Sequence, residues 1–300
     1  GRVNSTMDRR FFVAALSLFP CMISTRPSFS DDNPVLHVFI LAGQSNMAGA
    51  DSNVVEPTGF RQTPADRATR FSAAPLPYGA KSSLYVPWEE LQGHRLGNRL
   101  VHGPEVGLAR SLHEDSWRNV AMIKVFANFG RNAESWPWGK GGYLFKAWTK
   151  FVDDRLEELR DQGHSVRVSG FAWHQGIDDA IHGKLAHHYE RNLSDLIGAL
   201  RNRYATRDTP FVLARSVNSR IAQPTPDPEM KSPMAIVRRA QNRIAKTVSG
   251  VATIDVDDCP TSALIIFSNG QLVIGRRYGA AFKRSTQGQG HRRVLNWMFS

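Results

Sequence analysis

A serine two residues beyond a glycine, at the end of an apolar run, is the residue in this chain best suited to covalent chemistry. It lies in Val38-Phe-Ile-Leu-Ala-Gly-Gln-Ser-Asn-Met-Ala-Gly49. The apolar residues from Val35 to Leu41, bounded by Pro34 and Gly43, predict a strand buried on both faces. Gly43 permits a sharp turn without a Cβ clash. The turn presents Ser45 at the carboxyl end of the strand, where open α/β sheets keep their ligand crevices. Two readings of Ser45 are open on this pattern. It caps the segment that follows, or it is a nucleophile. The second asks more of the chain: a base for the hydroxyl proton, an acid to orient the base, and donors for an oxyanion.

The remaining histidines and cysteines offer no metal site by spacing. His182, His187 and His188 lie on or before one helical stretch, without the His-Glu-x-x-His pattern of a zinc hydrolase, and are expected to face solvent. His174 stands on a strand and is expected to be structural, while His291 belongs to the tail 284–300, which has no clear pattern. There are two cysteines. Cys21 falls in the N-terminal apolar segment and Cys259 is then alone, which excludes a disulfide scaffold.

Further strands are predicted at Val120 to Ala127, Val166 to His174, Phe211 to Val217 and Val251 to Val256. Helices are predicted at Glu105 to His113, Lys146 to Arg160, Leu185 to Tyr204, Pro233 to Val248 and Asn269 to Lys283. In Lys146 to Arg160, for example, Trp148, Phe151, Val152, Leu156 and Leu159 share one face. The alternation of strands and helices argues for an α/β fold: a three-layer α/β/α sandwich around a five-stranded parallel sheet. Asp51 to His102, rich in Pro, Gly, Ser and Arg, is expected to be a loop excursion near the site, with Trp88, Glu89 and Glu90 able to touch substrate or to anchor the loop.

Three hundred residues with 41% hydrophobic and 22% charged side chains suit one large globular domain. The net charge of +11 comes from scattered Lys and Arg with no nucleic-acid motif, so no nucleic-acid partner is expected. Residues 1–30 read as a secretory signal with upstream residues. Met7-Asp-Arg-Arg10 is basic, and Phe11 to Ile23 is apolar but too short to span a bilayer. A secreted or periplasmic protein without stable membrane insertion is expected, its main domain at 31–283.

Gly43-Gln44-Ser45-Asn46-Met47, directly after a first strand, resembles the nucleophile block of SGNH-type hydrolases. More narrowly it resembles the sialate O-acetylesterase (SASA) and carbohydrate-esterase domain family. Three more blocks follow in the family's order: Gly103-Pro-Glu-Val-Gly-Leu-Ala-Arg110, Trp173-His-Gln-Gly-Ile-Asp-Asp-Ala180 and Gly270-Gln-Leu-Val-Ile-Gly-Arg-Arg-Tyr278. The resemblance implies the SGNH, flavodoxin-like sheet and an acyl-enzyme on Ser45 acting on acetylated carbohydrate, without metal or cofactor. It also implies oxyanion donors at Ser45, Gly130 and Gln175, with Gln44, Asn46 and Asp179 in support. Gly130, in Ala127-Asn-Phe-Gly-Arg-Asn132, stands where the family has Gly-Gly-Thr.

The chain also departs from the family. Ile177 replaces a glutamate in the block after Gln175. Family members carry Asp-x-x-His before the final helix, and alignment on Phe267 sets Ala263 and Ile266 at those positions. Neither can move a proton. Four consecutive apolar residues are unusual in an exposed loop. Two accounts fit: a silenced esterase that binds carbohydrate on the same fold, or a one-base slip of the reading frame between Cys259 and Phe267. Resequencing the gene across this loop separates them.

Overall fold

The computed structural model describes residues 34–50, 52, 61–76, 85–96, 99–127, 142–216, 232–262 and 265–298. The N-terminal segment expected to be a signal lies outside them. In chain order the elements begin with β1 (Leu36–Gly43) and the single turn α1 (Ser45–Ala48). Then come α2 (Pro64–Arg67), β2 (Thr69–Pro75), β3 (Val86–Glu90), β4 (His94–Leu96) and β5 (Arg99–Val101). The middle of the chain gives α3 (Glu105–Glu114), β6 (Val120–Phe126), α4 (Tyr143–Asp161), β7 (Val166–His174), α5 (Ile177–Ile181) and, after a 3-10 turn (Gly183–His188), α6 (Tyr189–Tyr204). Next are β8 (Phe211–Ala214), α7 (Pro233–Thr247) and β9 (Val251–Ile254). Two short strands, β10 (Thr261–Ser262) and β11 (Ile265–Ile266), precede the long α8 (Ser268–Met298).

The main sheet runs β3-β2-β6-β1-β7-β8-β9. All neighbours are parallel except β3, which lies antiparallel to β2 at the edge. The five expected strands are all present and contiguous in parallel pairing, in the order β6-β1-β7-β8-β9, and β1 is the central strand of the seven. The stretch from Asp51 to His102 departs from expectation, because it adds β2 and β3 to the sheet and the small hairpin β4–β5 beside it. Ser and Ala make up much of β2, and β3 contains a proline and two glutamates. Both lack a β-branched run, and β3, with its proline, is the edge strand, where such a sequence is tolerated. Trp88 belongs to β3, and its indole N–H donates to the Arg155 carbonyl of α4 at 3.3 Å, an anchoring role.

The sheet is covered on both faces. Val38, Ile40 and Ala42 of β1 pack with Trp148, Phe151, Leu193 and Val237 of α4, α6 and α7. Phe39 and Leu41 pack on the other face with Val106 and Leu112 of α3 and Ile274, Tyr278 and Phe282 of α8. Fully burying a side chain such as Phe39 stabilises by roughly 1.5–3 kcal/mol. The pair α3 and α8 approaches so closely that a Cβ on Gly275 would lie 2.1 Å from the Pro104 carbonyl oxygen. Among the described residues no helix is long and apolar enough to cross a membrane.

Candidate active site

Two adjacent strand ends build the site. Gly43 of β1 pairs with His174 of β7, and Ser45 and Gln175 follow those partners. A Cβ on Gly43 would lie 2.2 Å from the His174 carbonyl oxygen, so only glycine permits this approach. The next N–H, of Gln44, donates to that same oxygen at 3.0 Å. Gln44 stays extended (φ −102°, ψ −156°) in the capping position of α1 without a side-chain cap bond, and half-buried Ser45 begins the turn. Ser45 therefore does not occupy the capping position. The turn closes at Gly49, whose N–H donates to the Ser45 carbonyl at 2.9 Å.

Side chains then lock the two strand ends together. The Gln44 Oε1 accepts the Gly176 N–H at 3.1 Å. Gln175 is buried, and its Nε2 donates to Asp179 Oδ2 at 2.6 Å. Its carbonyl accepts the Tyr189 hydroxyl at 2.7 Å and Gln241 Nε2 at 3.1 Å. A charged acceptor strengthens the amide bond and fixes which way the amide points. An amide nitrogen carries two hydrogens, of which Asp179 takes one. Burial first, and the charge of Asp179 second, push the Tyr189 phenol above its ordinary value, so it stays a donor. Ile177, in the family's glutamate position, lies in the core cluster with Ala180 and Tyr189.

The loop before α8 is fastened to the nucleophile turn. Asn46 Oδ1 accepts the Ile266 N–H at 2.9 Å, and the Asn46 carbonyl accepts Gln271 Nε2 at 3.0 Å. Ile266 is fully buried, with its Cγ2 2.4 Å from where a Cβ of Gly270 would stand. The apolar residue in the histidine position is thus seated in the core. Phe267 beside it is 42% exposed. Ala263 and Gly130 lie outside the described residues.

His182, His187 and His188 are exposed, as their sequence suggests. His174 is buried with no hydrogen-bond partner on either ring nitrogen among the described residues, and burial holds it down to about 4. It is a neutral structural ring. Among the described residues no group of three or more His, Cys, Asp or Glu side chains could hold a metal ion.

Three groups near the site escape sequence reasoning. Glu105 Oε2 pairs with Lys124 Nζ at 2.8 Å, both fully buried, while Glu105 Oε1 accepts the Gly103 N–H at 2.8 Å. Burial lowers the Lys124 ammonium's pKa, while Glu105 opposes that shift. His94 stands 3.7 Å from Glu105. Burial, and then Lys124, keep its pKa well below the ordinary histidine value. His102 reaches Ser268. A lysine amid the apolar residues of Val120 to Ala127 was the available signal for the first; the others require the tertiary fold.

A probable carbohydrate esterase of Arabidopsis thaliana is 24% identical over 192 residues, covering 62% of this chain and 71% of the relative. The solved structure of an Arabidopsis thaliana protein superposes with a TM-score of 0.59 at 19% identity, over 84% of this chain and 99% of that one. NanS gives 0.59 at 13% identity, over 85% of this chain and 99% of that one. At such identities the structural likenesses speak for the fold. The model of the family described as carbohydrate esterase, sialic acid-specific acetylesterase, matches residues 35–284. With that match spanning most of its length and the nucleophile turn, the Gln175 block, α3 and the first half of α8 inside it, the chain belongs to this carbohydrate esterase family.

Proposed function

We propose that this chain is a serine esterase that removes O-acetyl groups from carbohydrate through Ser45, impaired by the loss of its base. The Ser45 Oγ attacks the acetyl carbonyl carbon, the sugar hydroxyl leaves with a proton, and water then cleaves the acetyl-serine. The developing oxyanion would be met by the Ser45 N–H, the Gln175 amide and Gly130. The observation that carries this reading is the pairing of Gly43 with His174, reinforced by the bond from the Gly176 N–H to Gln44. It brings Ser45 and Gln175 to neighbouring strand ends, which supports their roles as nucleophile and oxyanion donor.

The test is acetate release from an O-acetylated sugar by the full chain and by Ser45→Ala. Loss of nearly all release in the variant supports the assignment, and unchanged release contradicts it. One observation favours a second reading, a catalytically silent carbohydrate-binding protein: Ile266, in the histidine position, is a fully buried core residue. Binding of the acetylated glycan without any acetate release would establish it. Export is part of the same proposal, supported by the basic start and apolar run of residues 7–23. N-terminal sequencing of protein recovered outside the cell checks it, and an intact residue 7 on that protein would contradict it.

A further inference from the structure

A second serine in this fold meets a histidine. Ser268 is the first residue of α8, half-buried, and its Oγ lies 2.7 Å from Nε2 of His102. The other ring nitrogen, Nδ1, lies 3.0 Å from the Gly103 carbonyl oxygen. A carbonyl only accepts, so Nδ1 carries the hydrogen and Nε2 of the neutral ring presents its lone pair to the Ser268 hydroxyl. Burial keeps His102 below the ordinary histidine value, although the nearby charge of Glu105 pulls the other way, so the ring is neutral near pH 7. His102 is 2% exposed, whereas Ser268 is only half-buried. A hydroxyl, a base in hydrogen-bond reach, and a third group orienting the base form the arrangement that activates a serine.

We infer that Ser268 and His102 form a second nucleophile–base pair, which takes acyl groups from small activated carboxylic esters independently of Ser45. The pair stands at the same edge of the sheet, since Ser268 is two residues beyond Ile266, whose N–H is held by Asn46. Nothing in it depends on the missing Asp-x-x-His residues. With p-nitrophenyl acetate the step is balanced as follows. The Ser268 proton passes to Nε2, Oγ bonds to the acetyl carbon, and p-nitrophenolate leaves with the electrons of the broken bond. The imidazolium then returns its proton to solvent, and water cleaves the acetyl-serine with Nε2 as base.

The experiment treats the full chain with p-nitrophenyl acetate and maps the acetyl group by peptide mass spectrometry. The acetyl group is expected on Ser268, in the parent and in Ser45→Ala alike, and is absent from that peptide in Ser268→Ala. His102→Gln should slow the labelling by at least ~10²-fold, the lower range of general-base catalysis. Should that variant fail to fold, the pH profile of the unaltered protein carries the test. Labelling of Ser268 should rise and level off with a midpoint below about 6.5, the unperturbed histidine value. An acetyl group on Ser45 alone, on lysines alone or nowhere overturns the inference, as does a rate that climbs with hydroxide without a plateau. Labelled Ser268 together with acetate release from sugar that ignores Ser45→Ala would sink the Ser45 reading and leave this one standing.

Discussion

Asp179 holds the Gln175 amide from 2.6 Å, and neither side chain is open to solvent. Turning the carboxylate into an amide keeps the size but removes the acceptor-only partner, so Asp179→Asn should let Gln175 rotate. Acetate release is expected to fall at least ~10-fold with KM little changed, as befits a residue acting through another on the transition state. Asp179→Ala leaves a buried donor unmatched and should also cost about 1–3 kcal/mol in a denaturant titration. Equal loss of stability and no change in kcat would mean a purely structural role. Ser45→Ala, by contrast, should shift stability by no more than about 0.5 kcal/mol, because the turn is held by backbone bonds and not by the hydroxyl. His174 gives a pH prediction. Its folded value is about 4 against 6.5 for the free residue. The depressed value makes its contribution to stability complete above about 6.5 and progressively lost as pH falls toward 4, on the order of 3 kcal/mol in all. His174→Leu should therefore flatten the decline of the urea midpoint between pH 6.5 and 4, and an unchanged slope would contradict the buried neutral ring. Ser45, Gln44, Asn46, Gln175 and Asp179 were legible because they sit in short contiguous blocks. His102 and Ser268 were not, because 166 positions separate them and only the fold brings them together.

At the scale of elements, the buried strands announced themselves by continuous apolar runs, and the helices by their spacing. The two added strands did not, since Phe71 is the only large apolar residue in Thr69–Pro75 and Glu89 and Glu90 end Val86–Glu90. β2 is paired by its neighbour β6, in a register that runs from Thr69–Val120 to Pro75–Phe126, and β3 is paired in turn by β2. The contact of α3 with α8 is set by small residues. A methyl on Gly275 would press into the Pro104 carbonyl and the Leu108 N–H, both backbone. Neither can yield as a flexible side chain would, so Gly275→Ala should destabilise by at least about 1–3 kcal/mol. A thermal melt checks this, and an unchanged Tm would contradict the close packing. Because α8 also carries Gln271, which holds the Asn46 carbonyl, the same variant should loosen the nucleophile turn.

For the whole molecule, the sheet supplies a rigid base on which a strand end, a neighbouring strand end and the start of α8 converge. Ser45 and Gln175, at the positions that match the family's nucleophile and amide, stand in that convergence, and the buried Ile266 stands at the position of its histidine. Removing members of a catalytic triad leaves a residual rate on the order of 10³–10⁴ over water from the oxyanion hole and binding. The measurement that tests this account most directly is acetate release from an O-acetylated carbohydrate by three proteins. They are the unaltered chain, a variant in which residues 261–268 are exchanged for a full Asp-x-x-His loop, and that variant with Ser45→Ala. The exchange also removes Ser268, so any gain must come through Ser45. The account predicts slow release by the unaltered chain, a gain of at least ~10²-fold on exchanging the loop, and loss of that gain with Ser45→Ala. Fast release by the unaltered chain, or a gain that survives Ser45→Ala, would contradict it.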